Sequence, residues 1–222
     1  MYNYDLIKDN LKTEYVGRTF VQFEHLQSIQ SKAKKISEGS PEGMLVVTKE
    51  QDNVKTKNSK IWVSNVGKAI FFSVILKNKK DLSEELVSVG AASVIKGLAE
   101  AFESDSLVDI KVKAPNDIFV GDKKVGAVFA EKINKKNNDS MVLTVFLNAS
   151  KEGLCEENTE EKDLPEDYKN VSNIIGYLGD NFVSEEILIA SILNWVEIYY
   201  KQLIDTKAKK EYLEVLEEFK LN

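Results

Sequence analysis

Apolar and polar positions along the chain alternate with two periods, and together they lay out a run of strands framed by helices. "FVQFEHL" (20–26) and "GMLVVTKE" (43–50) read as strands, and "AIFFSVIL" (69–76) as one buried on both faces. In 109–131 Ile110 and Val112 alternate with charges before Pro115-Asn116-Asp117 breaks the run. Ile118-Phe119-Val120 resumes it, and Gly121-Asp122 turns the chain into a strand over 124–131. "MVLTVFLN" (141–148), apolar almost throughout, is expected near the middle of a sheet. Helical spacing predicts "SIQSKAKKISEG" (28–39), closed by Gly39, and a longer helix over 81–102. There Asp81 and Glu84 stand in capping-box register, with Leu86, Val89, Ile95, Leu98 and Phe102 on one face. Ser184 starts a third helix, and "KKEYLEVLEEF" follows it. Strands gathered in the middle, with helices between and after them, predict an α+β (mixed α/β) fold. A central mixed sheet carries packed helices, those from 184 onward supplying much of the core cover. No linker rich in Gly, Pro or Ser divides the chain, so 1–222 is expected to be one unit.

Composition removes several classes of function. With 222 residues the chain can bury a sizeable core, and its net charge of −6 argues against nucleic acid as a partner. Cys155 and His25 are the only residues of their kinds, which excludes an internal disulfide and a Cys/His zinc site. No run is long and apolar enough to span a membrane, and the first fifteen residues are too charged for a signal peptide. A cytoplasmic location is therefore expected. The acidic stretch 151–170 reads as an exposed loop, and Cys155 within it lacks the basic neighbours that would activate a thiol. His25, beside a strand, reads as structural. No G-x-S-x-G, P-loop or G-x-G-x-x-G occurs.

The informative feature is a polar corner preceded by a lysine, Lys113-Ala114-Pro115-Asn116-Asp117, followed by Asp122-Lys123-Lys124-Val125-Gly126. This resembles the biotin protein ligases, whose pattern here is K-W-P-N-D, then a strand, a turn and K-(V/L)-(G/A)-G. Other matches fall in the family's order. "FEHLQSIQSKAKK" (23–35) is similar to its D-S-T-N segment, with Ser28 on the serine and Gln30 on the asparagine. Residues 46–76 are similar to the segment carrying Q-x-x-G-R-G-R-x-G-R-x-W, with Gln51, Trp62, Ser64 and Gly67 in register. "TVFLNAS" (144–150) falls where the family has G-I-G-I-N-V-N, and Asn148 keeps the asparagine. The resemblance covers nearly the whole chain.

It implies the class II synthetase-like biotin/lipoate ligase fold. It also implies formation of biotinyl-AMP from biotin and ATP with Mg²⁺, and transfer of biotin to a lysine of a carboxyl carrier domain. On the family pattern the chain is expected to carry neither an N-terminal helix-turn-helix nor a C-terminal β-barrel domain, so a repressor role is not expected. Homodimerisation through a sheet edge is a further implication. Adenylation brings a carboxylate onto an α-phosphate, so fixed cations must face developing negative charge. Lys113 is the expected contact for the biotin carboxylate and the α-phosphate, with Asn116 and Asp117 ordering the corner and assisting with magnesium or ribose. Lys55, Lys57 and Lys60 keep the charge of the phosphate loop, with Trp62 as a wall. The loop's glycines, however, are Val54, Thr56 and Ser59 here, and these resist the positive φ and close approach that glycine permits. Ser28 and Gln51 are expected on the polar head of biotin, where Ile29 replaces threonine and Gln30 replaces asparagine. Gly126 is kept beside the ligand, while the next glycine is Ala127. Thr144 and Phe146 stand in place of glycines, so Phe146 is able to fill the slot, and Asn148 joins the nucleotide residues. No metal-ligating residue is singled out. Three readings stay open: a divergent biotin ligase, a non-catalytic relative serving as a binding or scaffold module, and a lipoate-ligase-like protein.

Overall fold

The computed structural model describes residues 1–52, 54–55, 61–62, 69–102, 110–133, 139–148 and 183–221. Seven strands form the main sheet. They are β1 (Phe20–Leu26), β2 (Met44–Gln51), β5 (Ala69–Lys77), β6 (Ile110–Lys113), β7 (Asp117–Val120), β8 (Lys123–Lys132) and β9 (Ser140–Asn148). Their order is β1-β2-β5-β9-β8-β7-β6, with β1 parallel to β2 and every other pair antiparallel. Between β2 and β5, the short strands β3 (Val54–Lys55) and β4 (Ile61–Trp62) pair as a separate antiparallel ribbon.

Strand β9 takes the fourth and middle place, as its apolar run predicts, because a strand covered on both sides has no solvated face to give to polar residues. Side chains alternate through the sheet, and the two faces are covered differently. Ile70, Phe72 and Val74 of β5 join Leu143, Val145 and Leu147 of β9 on the face under two long helices, α3 (Ser83–Phe102) and α4 (Glu185–Ile204). Ala69, Phe71 and Ile75, with Val142 and Phe146, face the other way, under the short helix α2 (Ile29–Ile36). α2 is the crossover between the parallel strands β1 and β2, and among the described elements it packs chiefly on β2, β5 and β9.

Helices α3 and α4 cross closely at Gly97. A Cβ there would stand 2.6 Å from Ile192 Cγ1 and 2.7 Å from its Cα, and a backbone atom cannot step aside as a side-chain tip does. Gly97→Ala is expected to destabilise the protein by about 1–3 kcal/mol despite alanine's better helix propensity, as read by urea denaturation.

Three local features depart from the sequence pattern. Asp81 does not form the expected capping box with Glu84. Its carboxylate instead accepts the backbone N–H of Ser83 at 3.0 Å and the Ser83 hydroxyl at 2.7 Å, a tighter turn that spares a longer reach to the helix. A helix that the pattern did not predict, α1 (Tyr4–Asn10), packs on α4. Last, the chain after helix α5 (Glu211–Glu218) turns back to the sheet, where Lys220 bridges Val112 of β6. The Phe102 side chain and the acidic stretch 151–170, with Cys155, lie outside the described residues.

Candidate functional site

In the face beneath α2, one row of cross-strand partners runs the width of the sheet. Lys113 pairs with Asp117, Asp117 with Ala127, Ala127 with Phe146, Phe146 with Phe71, and Phe71 with Thr48. Directly opposed residues of neighbouring strands share a face, so the register itself puts Lys113 and Phe146 on one surface. They stand three interstrand spacings apart, about 14 Å. The sequence brings these positions together because the corner 114–116 is short, which holds β6 and β7 in a fixed antiparallel register.

Lys113 ends β6 and is exposed, and its ammonium has no ion-pair partner among the described residues. The corner is tied down elsewhere. The Asn116 carbonyl accepts the N–H of Val128 at 2.9 Å, and the Asp117 carboxylate pairs with Lys124 Nζ at 2.7 Å. Asp117 was expected to assist with magnesium or ribose. Its carboxylate also pairs with Lys124, whose position on the adjacent strand β8 places its ammonium within reach. Lys124 is visible in the sequence only as one of two adjacent lysines, and nothing local distinguishes it from Lys123.

At the α2 end of the row, Ser28 caps the helix, its hydroxyl oxygen accepting the Ser31 N–H at 3.3 Å. That leaves the Ser28 O–H as a donor. Ile29 is fully buried in the apolar cluster, and Gln30, the next residue of the helix, is half-buried. The backbone N–H of Ile29 donates to Gln51 Oε1 at 3.0 Å, which fixes the carboxamide. Gln51 Nε2 is buried and has no hydrogen-bond partner among the described residues. A buried amide N–H₂ without an acceptor costs about 1–3 kcal/mol, so this donor favours an acceptor beyond the described residues.

Between Gln51 and Lys113 the surface is apolar. Phe146, 3% exposed, meets Phe71 edge-on at 5.6 Å between ring centroids and Phe129 tilted at 5.3 Å. Thr144 pairs hydroxyl to hydroxyl with Ser73 at 2.8 Å, so its polar atom is satisfied within the sheet. Phe71 and Phe129 belong to this surface although the sequence did not single them out. The cross-strand register puts them there, Phe71 opposite Phe146 and Phe129 opposite Thr144, and no local pattern in the sequence marks it. Lys34 of α2 forms an ion pair with Glu131 of β8, and Lys32 lies 4.6 Å over the Phe23 ring, so the helix is held to both sides of its strip of sheet.

Asn148 is 1% exposed beside Ala69, its partner on β5. Gly126 lies on the other side of its strand. A Cβ there would stand 2.5 Å from Leu147 Cδ2 and 2.9 Å from the Phe146 carbonyl oxygen, so glycine is required for β8 to pass β9 under α3. Any contact of Gly126 with a ligand on the Phe146 face is therefore a backbone contact. Lys55 and Trp62 belong to the β3–β4 ribbon, where Lys55 pairs with Ile61 and Val54 with Trp62, but their side chains lie outside the described residues. Lys57 and Lys60 lie wholly outside, as do Ser64 and Gly67. His25 Nε2 meets Asp52 Oδ1 at 2.6 Å at the half-exposed end of β1. Among the described residues no group of three His, Cys, Asp or Glu side chains is placed to hold a metal, and no helix is long and apolar enough to cross a membrane.

Comparison with known proteins gives consistent matches. The model of the biotin/lipoate A/B protein ligase family matches residues 25–148, more than half of the chain. The bifunctional ligase/repressor BirA of Bacillus subtilis is 25% identical over 199 residues, which make up 88% of this chain and 58% of that protein. The chain thus spans a little under three fifths of this relative's length. The biotin–protein ligase of Homo sapiens is 23% identical over 137 residues, 57% of this chain. Among solved structures, the biotin protein ligase from Aquifex aeolicus in complex with biotin and ATP superposes with a TM-score of 0.71 at 20% identity, covering 92% of this chain and 79% of that one. The biotin protein ligase from Leishmania major in complex with biotinyl-5-AMP gives 0.63 at 13%, covering 92% and 82%. The fold is that of these enzymes: a mixed seven-stranded sheet with packed helices, class II synthetase-like.

Proposed function

The chain belongs to the biotin/lipoate A/B protein ligase family, and from that premise we propose that it is a divergent biotin protein ligase. It forms biotinyl-AMP from biotin and ATP and passes biotin to a lysine of a biotin carboxyl carrier domain. The observation that carries this reading is Gln51. Its Nε2, buried and without a partner among the described residues, calls for a hydrogen-bond acceptor, which the ureido carbonyl of biotin supplies and the dithiolane of lipoate does not. The Ser28 hydroxyl lies at the same end of the strip as a second donor.

With the polar head at Gln51, the valeryl chain lies along the Phe146–Ala127 surface and its carboxylate points toward Lys113. In the first step a carboxylate oxygen attacks the α-phosphorus of ATP, the bond to the bridging oxygen breaks and pyrophosphate leaves. The ammonium of Lys113 offsets the charge of the two approaching anions and of the crowded phosphorus. In the second step the acceptor lysine amine attacks the acyl carbon, AMP leaves and the amine gives up a proton. Magnesium, when bound, neutralises the polyphosphate. Asp117, paired with Lys124, and Asn116 are the corner residues that would help hold the ion.

One observation favours a second reading. The Phe146 ring packs on Phe71 and Phe129 over the surface where the ligand would lie, as a filled slot in a non-catalytic binding module would. Titration calorimetry separates the two. Biotin is expected to bind, more tightly with ATP and Mg²⁺, with lipoate weaker. Gln51→Leu is expected to weaken biotin about tenfold, the worth of one hydrogen bond to a buried donor. Folded protein that takes up neither biotin nor ATP would reject the ligase and leave the binding module.

A further inference from the structure

We propose that the segment following α5, through Phe219 and Leu221, is the positioning element for Lys113; this rests on the ligase reading above for the role of the lysine. β6 is a four-residue strand at the edge of the sheet, with β7 on its inner side. A strand so short with one neighbour frays readily, and Lys113 is its last residue. In an antiparallel edge strand the backbone N–H and C=O of alternate residues point outward. The outward groups of Val112, next to Lys113, are both taken by the tail. The Val112 N–H donates to the Phe219 carbonyl at 2.7 Å, and the Leu221 N–H donates to the Val112 carbonyl at 2.9 Å. Lys220, between them, forms the parallel bridge. The strand that carries the lysine therefore has neighbours on both sides.

The tail is itself anchored. Lys210 Nζ donates to the carbonyls of Gln202 and, at 2.6 Å, of Asp205, which close the C-terminal end of α4. Gln202 and Glu211 exchange hydrogen bonds, the Glu211 N–H donating to Gln202 Oε1 at 3.0 Å. Tyr212 is buried, 6.1 Å from Tyr199 between ring centroids, and α5 packs on α3. A rigid path thus runs from the helical layer through α5 and the tail to β6 and Lys113. Transition-state charge stabilisation needs its cation held to within a fraction of an ångström, and a tail that stiffens β6 does that without touching substrate.

Leu221→Pro tests this by deleting a single donor, because proline has no N–H to give Val112. Leu221→Ala keeps the donor and loses a similar side chain. Three measurements are made on both variants and on the unaltered chain: hydrogen exchange of the peptide spanning 110–113, biotin affinity by calorimetry, and ATP–pyrophosphate exchange with biotin. For Leu221→Pro we expect faster exchange in 110–113, biotin affinity unchanged within about twofold at undiminished binding stoichiometry, and kcat lower by about tenfold, a split that loss of folded protein would not produce. Leu221→Ala is expected to restore kcat and protection. Faster exchange with unchanged kcat would overturn the positioning role, and unchanged exchange would overturn the clamp itself. An unaltered chain that forms no adenylate would defeat the ligase reading alone, and the clamp would then stand or fall on the exchange measurement.

Discussion

Replacing Lys113 with alanine is expected to lower the rate of adenylate formation by about 100- to 1,000-fold, the usual cost of removing one preorganised charge from a developing transition state. The fold should not suffer. Lys113 is exposed at the end of an edge strand, and its ammonium pairs with no carboxylate among the described residues. Surface substitutions of this kind change stability by only about 0.5 kcal/mol. The neighbouring corner keeps its own ties through Asp117–Lys124 and Asn116–Val128. ATP–pyrophosphate exchange gives the rate and urea denaturation the stability. A variant that folds and still exchanges pyrophosphate at the original rate would remove Lys113 from the chemistry. Lys113→Arg should recover only part of the activity, because a planar fork on a longer arm does not put its charge where the ammonium was.

The second large effect lies far from that corner, at Glu197 of α4. Its side chain is 4% exposed and gathers the chain that leads into β1. The backbone N–H groups of Glu14, Tyr15 and Val16 donate to its two oxygens at 2.8, 3.0 and 2.9 Å, and Lys201 Nζ approaches at 2.9 Å. One turn earlier, Asn194 accepts the Lys12 N–H at 2.7 Å and donates to the Asn10 carbonyl at 3.1 Å. Glu197→Ala leaves those donors unpaired, some in the interior, and is expected to cost about 3–5 kcal/mol. Burial alone would raise the Glu197 carboxyl above its ordinary range, yet the three backbone N–H donors and Lys201 outweigh it and hold the group below that range. A carboxyl whose folded pKa is depressed stabilises fully above its unfolded value, about 4.3, and loses that contribution as pH falls through the folded value. The stability gap between the unaltered protein and Glu197→Ala should therefore be constant from neutral pH down to about 5 and shrink below about 4. Urea denaturation at several pH values reads it. A gap that widened on acidification would mean that the carboxylate is not the stabilising form.

Much of the fold was legible in the chain because alternation is a local property. The unbroken apolar run of 141–148 could only be covered on both faces, and it became the middle strand. Ser184 did cap the long helix that follows it, accepting the Ile187 N–H at 3.3 Å. The family, too, could be named from short matches in order, chiefly Lys113 to Asp117 and Gln51. Helix α1 escaped notice because seven residues with Ile7 as their buried member carry almost no period.

The candidate site divides along the same line. From the sequence alone come the residue types at the corner and at the head of α2 and the loss of glycines at Thr144 and Phe146. Only the tertiary structure decided that Asp117 pairs with Lys124, that Gln51 Oε1 accepts the Ile29 N–H while Nε2 meets no partner among the described residues, and that Phe146 packs on Phe71 and Phe129. It alone joined Phe219 and Leu221 to Val112, and Glu197 to Val16, across 107, 109 and 181 positions of chain (219 − 112, 221 − 112 and 197 − 16). Period and propensity are set by residues a few places apart. The choice of partner for a carboxylate or a backbone N–H is set by which segments the folded core brings side by side, and no local pattern records that.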